Sequence, residues 1–261
     1  MRKPLTALAM VSALAIAAPL RADTMPWDAD QALLKQVQSA MQSQGILGLE
    51  PLAPQIEKAL ANAQLTYVIG DTQYLLTDGV GEAMIAMTIV QTGKGEKPAK
   101  AVAIDNPYPL LGLYLGSYYD EAGKFEDALR VLDLALTKHA VEGIDIGETR
   151  PSLLTERGEA LMALKRFDEA LKDFDEILQD NDVDSRLRAH ALRGKGYVFT
   201  ELGRLDDAEA AYWESLKLEP GNETAKHELE YIGGLKNGKA ATTGVLAPLQ
   251  KPAPANDSPG H

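Results

Sequence analysis

Cysteine is absent from the 261-residue chain, histidine occurs four times, and aromatic residues make up only 6%. The first absence excludes disulfides, thiolate zinc sites, thiol catalysis and a lipidated cysteine. The four histidines (His139, His190, His227, His261) include no pair at i, i+4, so no helical zinc pair forms. Bases are also scarce: 26 Lys and Arg face 38 Asp and Glu, for a net charge of −12 and a pI near 4.8. That balance argues against a nucleic-acid binder, which needs a basic surface to neutralise phosphates. Long apolar runs are missing except for one near the start. What the chain does have is 45% hydrophobic and 25% charged residues, enough for a packed core in one or two domains.

The single apolar run spans Leu5 to Leu20, follows Arg2 and Lys3, and is broken by Pro19. A basic start, a short apolar stretch and small residues after it make a secretory signal peptide over residues 1–22. Processing is expected after Ala22, in Leu20-Arg21-Ala22, with a cut after Ala17 as the alternative. An uncleaved membrane anchor is the competing reading, but this run is shorter than the about 20 residues that span a bilayer. The expected product is an exported, periplasmic protein with no stable membrane insertion once the signal is removed. Loss of Arg2, Lys3 and Arg21 leaves 23 bases against 38 acids, or −15. A helical array of over 200 residues buries enough surface to do without disulfides.

Three phrases recur further on: Lys124-Phe125-Glu126-Asp127-Ala128-Leu129, Arg166-Phe167-Asp168-Glu169-Ala170-Leu171 and Arg204-Leu205-Asp206-Asp207-Ala208-Glu209. Gly116, Gly158 and Gly196 each precede the phrase's alanine by 12 residues. Large apolar residues follow each glycine by three (Tyr119, Leu161, Phe199), by nine (Phe125, Phe167, Leu205) and by sixteen (Leu132, Phe174, Tyr212). Within a unit the apolar spacing of three and four is helical. Each unit is therefore two helices, one bearing a glycine where a neighbour approaches closely, the other a small alanine. Gly123 and Gly203 mark the turns between helices, and Lys165 takes that place in the middle unit. The acid pair opening each second helix suits the positive end of the helix dipole.

This spacing resembles the tetratricopeptide repeat family, a 34-residue helix-turn-helix unit. Units fall at about 109–142, 151–184 and 189–222, within an array of 106–235 closed by a capping helix at 223–235 with Ala225, Leu229 and Ile232 on one face. Steps of 42 and 38 residues between units imply insertions near 143–150 and 185–188. The resemblance implies a mainly α fold, a right-handed α-solenoid of three helix-turn-helix repeats plus the cap. Residues 236–261, rich in Pro, Ala, Thr and Gly, make a disordered tail.

Residues 23–105 match no family and are expected to form a small α/β or helical region. Helices are expected at 28–43 and 51–62 as a hairpin, with β-like runs at Leu65–Ile69 and Gln73–Thr77 around Gly70-Asp71-Thr72. Residues 83–91 suit helix or strand, with helix preferred, and Ala101–Ile104 adds a third strand.

No catalytic arrangement, cofactor motif or metal site is found. His227-Glu228 lacks a second histidine. Asp180-Asn181-Asp182-Val183-Asp184 resembles a calcium loop, but Ser185 stands where glycine is required and Ala191 where a bidentate Glu is required. Gly93-Lys94-Gly95-Glu96-Lys97 lacks the spacing of a phosphate loop. The leading expectation is a non-enzymatic adaptor, possible partners being protein or peptide segments held in the concave groove and the setting cell-envelope assembly. An enzyme or small-molecule-binding module in 23–105, with the repeats as its targeting arm, is the alternative. A membrane-anchored scaffold is a third class. The family's groove-facing pattern selects Tyr114, Ser117 and Asp120, then Glu156 and Glu159, then Arg193, Tyr197 and Glu201. It implies a basic or polar segment packed on the tyrosines, with Arg193 taking a carboxylate or carbonyl. The positions that clamp chaperone C-terminal carboxylates in related repeats carry Leu113, Ser117, Glu156, His190 and Gly194, which cannot hold a carboxylate pair.

Overall fold

The computed structural model describes residues 24–93, 98, 100–138 and 147–239. The signal segment, the first half of the 143–150 insertion and nearly all of the tail lie outside the described residues. Helix α1 (Asp28–Gln44) leads through a 3-10 helix (Ile46–Leu52) into α2 (Ala53–Ala61). Strands β1 (Thr66–Ile69) and β2 (Thr72–Thr77), helix α3 (Val80–Thr92) and strand β3 (Lys100–Asp105) follow. Three helix pairs come next: α4 (Tyr108–Glu121) with α5 (Phe125–Thr137), α6 (Arg150–Ala163) with α7 (Phe167–Gln179), and α8 (Ser185–Glu201) with α9 (Leu205–Leu218). Helix α10 (Glu223–Lys236) ends the array.

Each helix of the array packs on the next, and the first helices also pack on one another, α4 on α6 and α6 on α8. That pattern is an α-solenoid. Its spacing rule has a direct physical cause. A Cβ built on Gly116, Gly158 or Gly196 would lie 2.6 to 2.7 Å from Leu132, Phe174 or Tyr212 respectively. The residue sixteen positions on is thus the one that presses against the glycine. Gly123 and Gly203 turn the chain at φ of +69° and +70°, the left-handed region that glycine enters without a Cβ clash. Lys165 follows them at φ +58°, the only described non-glycine residue with positive φ.

One insertion is placed differently from the sequence reading. Residues 185–188 are not a loop but the first turn of α8. Asp184 starts the helix early, its carboxylate accepting from Arg186 N (2.8 Å) and Leu187 N (3.0 Å), which satisfies two of the orphan amides of the helix terminus.

The N-terminal third completes the core of the first repeat. Helices α1 and α2 pack on α4, and Leu33, Val37, Leu49, Ile56, Leu60, Leu111, Leu115 and Leu132 share one cluster. The sheet has order β1-β2-β3, with β1 antiparallel to β2 but β2 parallel to β3. A parallel pair needs a crossover, and α3 supplies it. Tyr67, Tyr74, Leu76 and Ile104 face the main core, where Trp27 meets both tyrosine rings. Leu75 points the other way, against Ala86, Met87 and Val90 of α3.

A polar junction ties this module to the second repeat. The buried Asp78 carboxylate accepts from Thr149 N and Thr149 Oγ1, both at 2.8 Å. Its own N–H donates to the buried Glu82, and its carbonyl accepts from Glu148 N.

Candidate functional site

The first helices α4, α6 and α8 carry all eight candidate groove residues, and two cross-links join them. Ser117 Oγ donates to Glu156 Oε2 at 2.6 Å, linking α4 to α6. Glu159 Oε1 lies 2.8 Å from His190 Nε2, linking α6 to α8, with only 10% and 3% of the two side chains exposed. Neither of these two atoms nor His190 Nδ1 has a hydrogen-bond partner although all three are buried, so the contact is a close approach across the repeat boundary and not a hydrogen bond. Glu159 is therefore part of the wall between repeats rather than an open surface acid. Tyr114 and Asp120 are half-buried on α4.

Arg193 departs from the expectation. It is 5% exposed and ion-paired with Glu219, the residue that ends α9. A guanidinium enclosed with its own carboxylate is not available to a partner's carboxylate or carbonyl. Tyr197 is half-buried and Glu201 exposed. Burial pushes the Tyr197 phenol's pKa up, and the Glu201 and Glu228 carboxylates add to the shift.

Glu228 is the residue that sequence reasoning missed. It lies on the face of α10 that carries Ala225 and Ile232, both fully buried. Its Oε2 is buried without a hydrogen-bond partner. Burial raises its pKa, His227 partly opposes this, and Glu201 raises it further. The signal was its position: a carboxylate three residues after Ala225 and four before Ile232, on the apolar stripe of the cap. The same charges, with burial as the main cause, push the Tyr212 phenol up. The last repeat and the cap thus form one neighbourhood of Tyr197, Tyr212, Glu201 and Glu228, whose one guanidinium, Arg193, is already engaged by Glu219.

Elsewhere the candidate chemistry resolves into structure. Asp180 Oδ1 accepts from Asp182 N at 2.9 Å, and Asp184 caps α8, so two acids of the calcium-like loop bond their own backbone. No group of three or more potential ligands converges on a metal position among the described residues. In the N-terminal third, the buried acids Asp78 and Glu82 belong to the junction with the second repeat.

The tetratricopeptide repeat family model matches residues 113–184 and again 155–223. Residues 113–223 are tetratricopeptide repeats. The two overlapping matches each cover a pair of adjacent units, in agreement with the glycine contacts above. Among solved structures, the first tetratricopeptide domain of Spaghetti (RPAP3), bound to the HSP90 peptide SRMEEVD, is 25% identical with a TM-score of 0.43, covering 51% of this chain and 97% of that one. The first such domain of human RPAP3 is 25% identical with a TM-score of 0.43, covering 50% and 93%. The second domain of human RPAP3, in complex with the HSP70 peptide SGPTIEEVD, is 24% identical with a TM-score of 0.39, covering 48% and 98%. No curated protein sequence matches the chain. Among the described residues, no helix is long and apolar enough to cross a membrane.

Proposed function

We propose that the repeats hold an extended segment of a partner protein, and that this segment carries Lys or Arg. The observation that carries the reading is the partly desolvated Glu228 carboxylate, near the exposed Glu201 carboxylate and Tyr197. A buried carboxylate oxygen with no donor is costly by itself and gains a charge-assisted hydrogen bond when an ammonium or guanidinium arrives. The tyrosine ring offers the cation's aliphatic stem an apolar surface, with its face available to the charge. Tyr114, Asp120 and Glu156 extend the same character along the first two repeats. We further propose that residues 1–22 export the chain and that the scaffold acts in the cell envelope, supported by the basic start and short apolar run of that segment.

The test uses two labelled peptides of equal length in fluorescence anisotropy, one rich in Lys and Arg and one ending in the acidic sequence SRMEEVD. The basic peptide is expected to bind more tightly, with affinity falling as salt rises. Loss of one charge-assisted bond in Glu201→Gln should weaken it about tenfold. Tighter binding of the acidic peptide, or an unchanged affinity in Glu201→Lys, would refute the proposal. N-terminal sequencing of the protein recovered from the envelope should begin at Asp23.

A further inference from the structure

Helix α3 is apolar on both faces, and only one of them is covered. Ala86, Met87 and Val90 pack on Leu75 of the sheet. On the opposite side Val80, Met84, Ile85 and Ile89 are between 43% and 72% exposed. Thr88 Oγ1 donates to Met84 O and Thr92 Oγ1 to Thr88 O, each at 2.7 Å. The two hydroxyls are thereby turned back onto their own helix. From Gly79 to Gly93 the one ionisable residue is Glu82, which is fully buried. Val68, 70% exposed, extends this surface on edge strand β1. The pairing of Val68 with Gln73 puts it on the face of the sheet that α3 covers over β2 and β3. A surface helix is normally polar on its outer side, and one apolar all round is normally covered on both.

We propose that this face is the contact through which two copies of the chain associate, α3 packing antiparallel on α3 of the second copy about a two-fold axis. Charge selects this occupant. At a net charge of −12, two copies repel over most of their surface, and a helix face with no exposed charge of its own, bordered by Glu148 only at the Val80 end, is where they can meet with the fewest acids set against acids. A basic partner would gain little here, because the carboxylate that borders the face, Glu148, stands at one end and already accepts from Val80 N. A lipid surface fits poorly, since a helix that lies in a membrane interface sets a basic polar face opposite its apolar one, whereas the second face of α3 is buried on the sheet. The geometry is self-complementary, as an isologous contact requires: Met84, Ile85, Thr88 and Ile89 meet their counterparts near the axis, and Val80 of each helix meets the Thr92 end of the other. Five exposed apolar side chains form a patch of the kind that marks interfaces. Two such patches face to face approach the roughly 1,000 Å² of a specific contact.

The absence of cysteine supplies a clean reporter, because one introduced cysteine can link only to its twin. The purified chain is expected to sediment at twice its monomer mass in the micromolar range. Thr88→Cys should form a disulfide-linked dimer on mild oxidation, while Ser39→Cys on exposed α1 should not. Met84→Glu combined with Ile89→Glu should sediment as a monomer with an unchanged far-UV spectrum. Three results would each overturn the proposal: a monomeric wild-type chain, equal cross-linking of the Thr88→Cys and Ser39→Cys variants, or a wild-type chain that floats with neutral phospholipid vesicles. None of these readouts depends on the groove.

Discussion

Replacing Gly194 by alanine tests the close-packing logic of the array most directly. Phe174 is fully buried on α7, and its ring lies between Gly158 of its own unit and Gly194 of the next. A Cβ on Gly194 would stand 2.5 Å from ring Cζ and 2.6 Å from ring Cε2, about 1 Å inside the optimal carbon–carbon separation. The ring cannot retreat, because a Cβ direction on Gly158 already points at its other edge from 2.6 Å. Overpacking of this kind costs about 1–3 kcal/mol. Against it, alanine recovers about 1 kcal/mol of helix propensity relative to glycine. Gly194→Ala should therefore destabilise by up to about 2 kcal/mol, lowering the melting temperature by up to roughly 8 °C. In a Phe174→Leu background the added methyl has room, and the same substitution should become neutral or favourable. Urea denaturation of the four proteins of this cycle, followed by far-UV circular dichroism, should give a coupling energy of about 1–3 kcal/mol, the overpacking cost itself. If Gly194→Ala stabilised the wild-type chain by the full propensity gain, or the coupling vanished, the contact between units would not be tight in the way described.

Lys165→Gly should stabilise the chain by about 1 kcal/mol, because φ +58° strains a side chain where the flanking units place glycine; thermal melts decide it. Arg193→Met should cost about 1–3 kcal/mol in denaturant titrations by removing the buried partner of Glu219, which marks Arg193 as a stability residue. Burial and Glu201 raise the Glu228 pKa above 4.5, so the folded chain holds that proton more tightly than the unfolded one. The contribution of this group to stability should accordingly rise as pH falls from neutral through its folded pKa and level off below the unfolded value, against the opposite trend from the paired Glu57, whose pKa is lowered. Glu228→Gln should flatten this slope, stabilise the chain at pH 7 by about 1 kcal/mol, and weaken the Lys/Arg-rich peptide; a chemical-denaturation series across pH reads the first two effects.

The repeat portion of the fold was legible because its defining contact is local. Gly158 and Phe174 sit sixteen residues apart in every unit's frame, so packing leaves a periodic trace. Lys165 was legible in the same way, by standing where glycine stands elsewhere. The parallel pairing of β2 and β3 was not, since strand propensity says nothing of direction and the crossover α3 is too uniformly apolar for its periodicity to show a buried side. The pairing of Arg193 was hidden for another reason: Glu219 lies 26 residues later and reaches it only because α9 runs back along α8. Residues 185–188 were assigned to an insertion because the count between units ran four too long, whereas Asp184 turned that surplus into an extra helical turn. Glu228 was overlooked because the cap was judged by its apolar residues, leaving the carboxylate among them out of account.

A stack of helix pairs bends at its joints, much as a spring does, because each unit touches only its neighbours. Here the first joint is bridged from outside. Asp78 belongs to a module whose sheet shares the core of the first repeat, yet its carboxylate is fastened to Thr149 at the start of the second. Flexing between those two repeats must break both bonds and uncover a buried acid. The second joint, between the second and third repeats, has no such fastening from the N-terminal module among the described residues: it is held by the array's own contacts, the Phe174 ring against Gly194, Lys195 paired with Asp175 and Glu159 beside His190. The curvature at the first joint is thus set by a part of the chain that lies outside the repeats, whereas at the second it is set by the repeats alone.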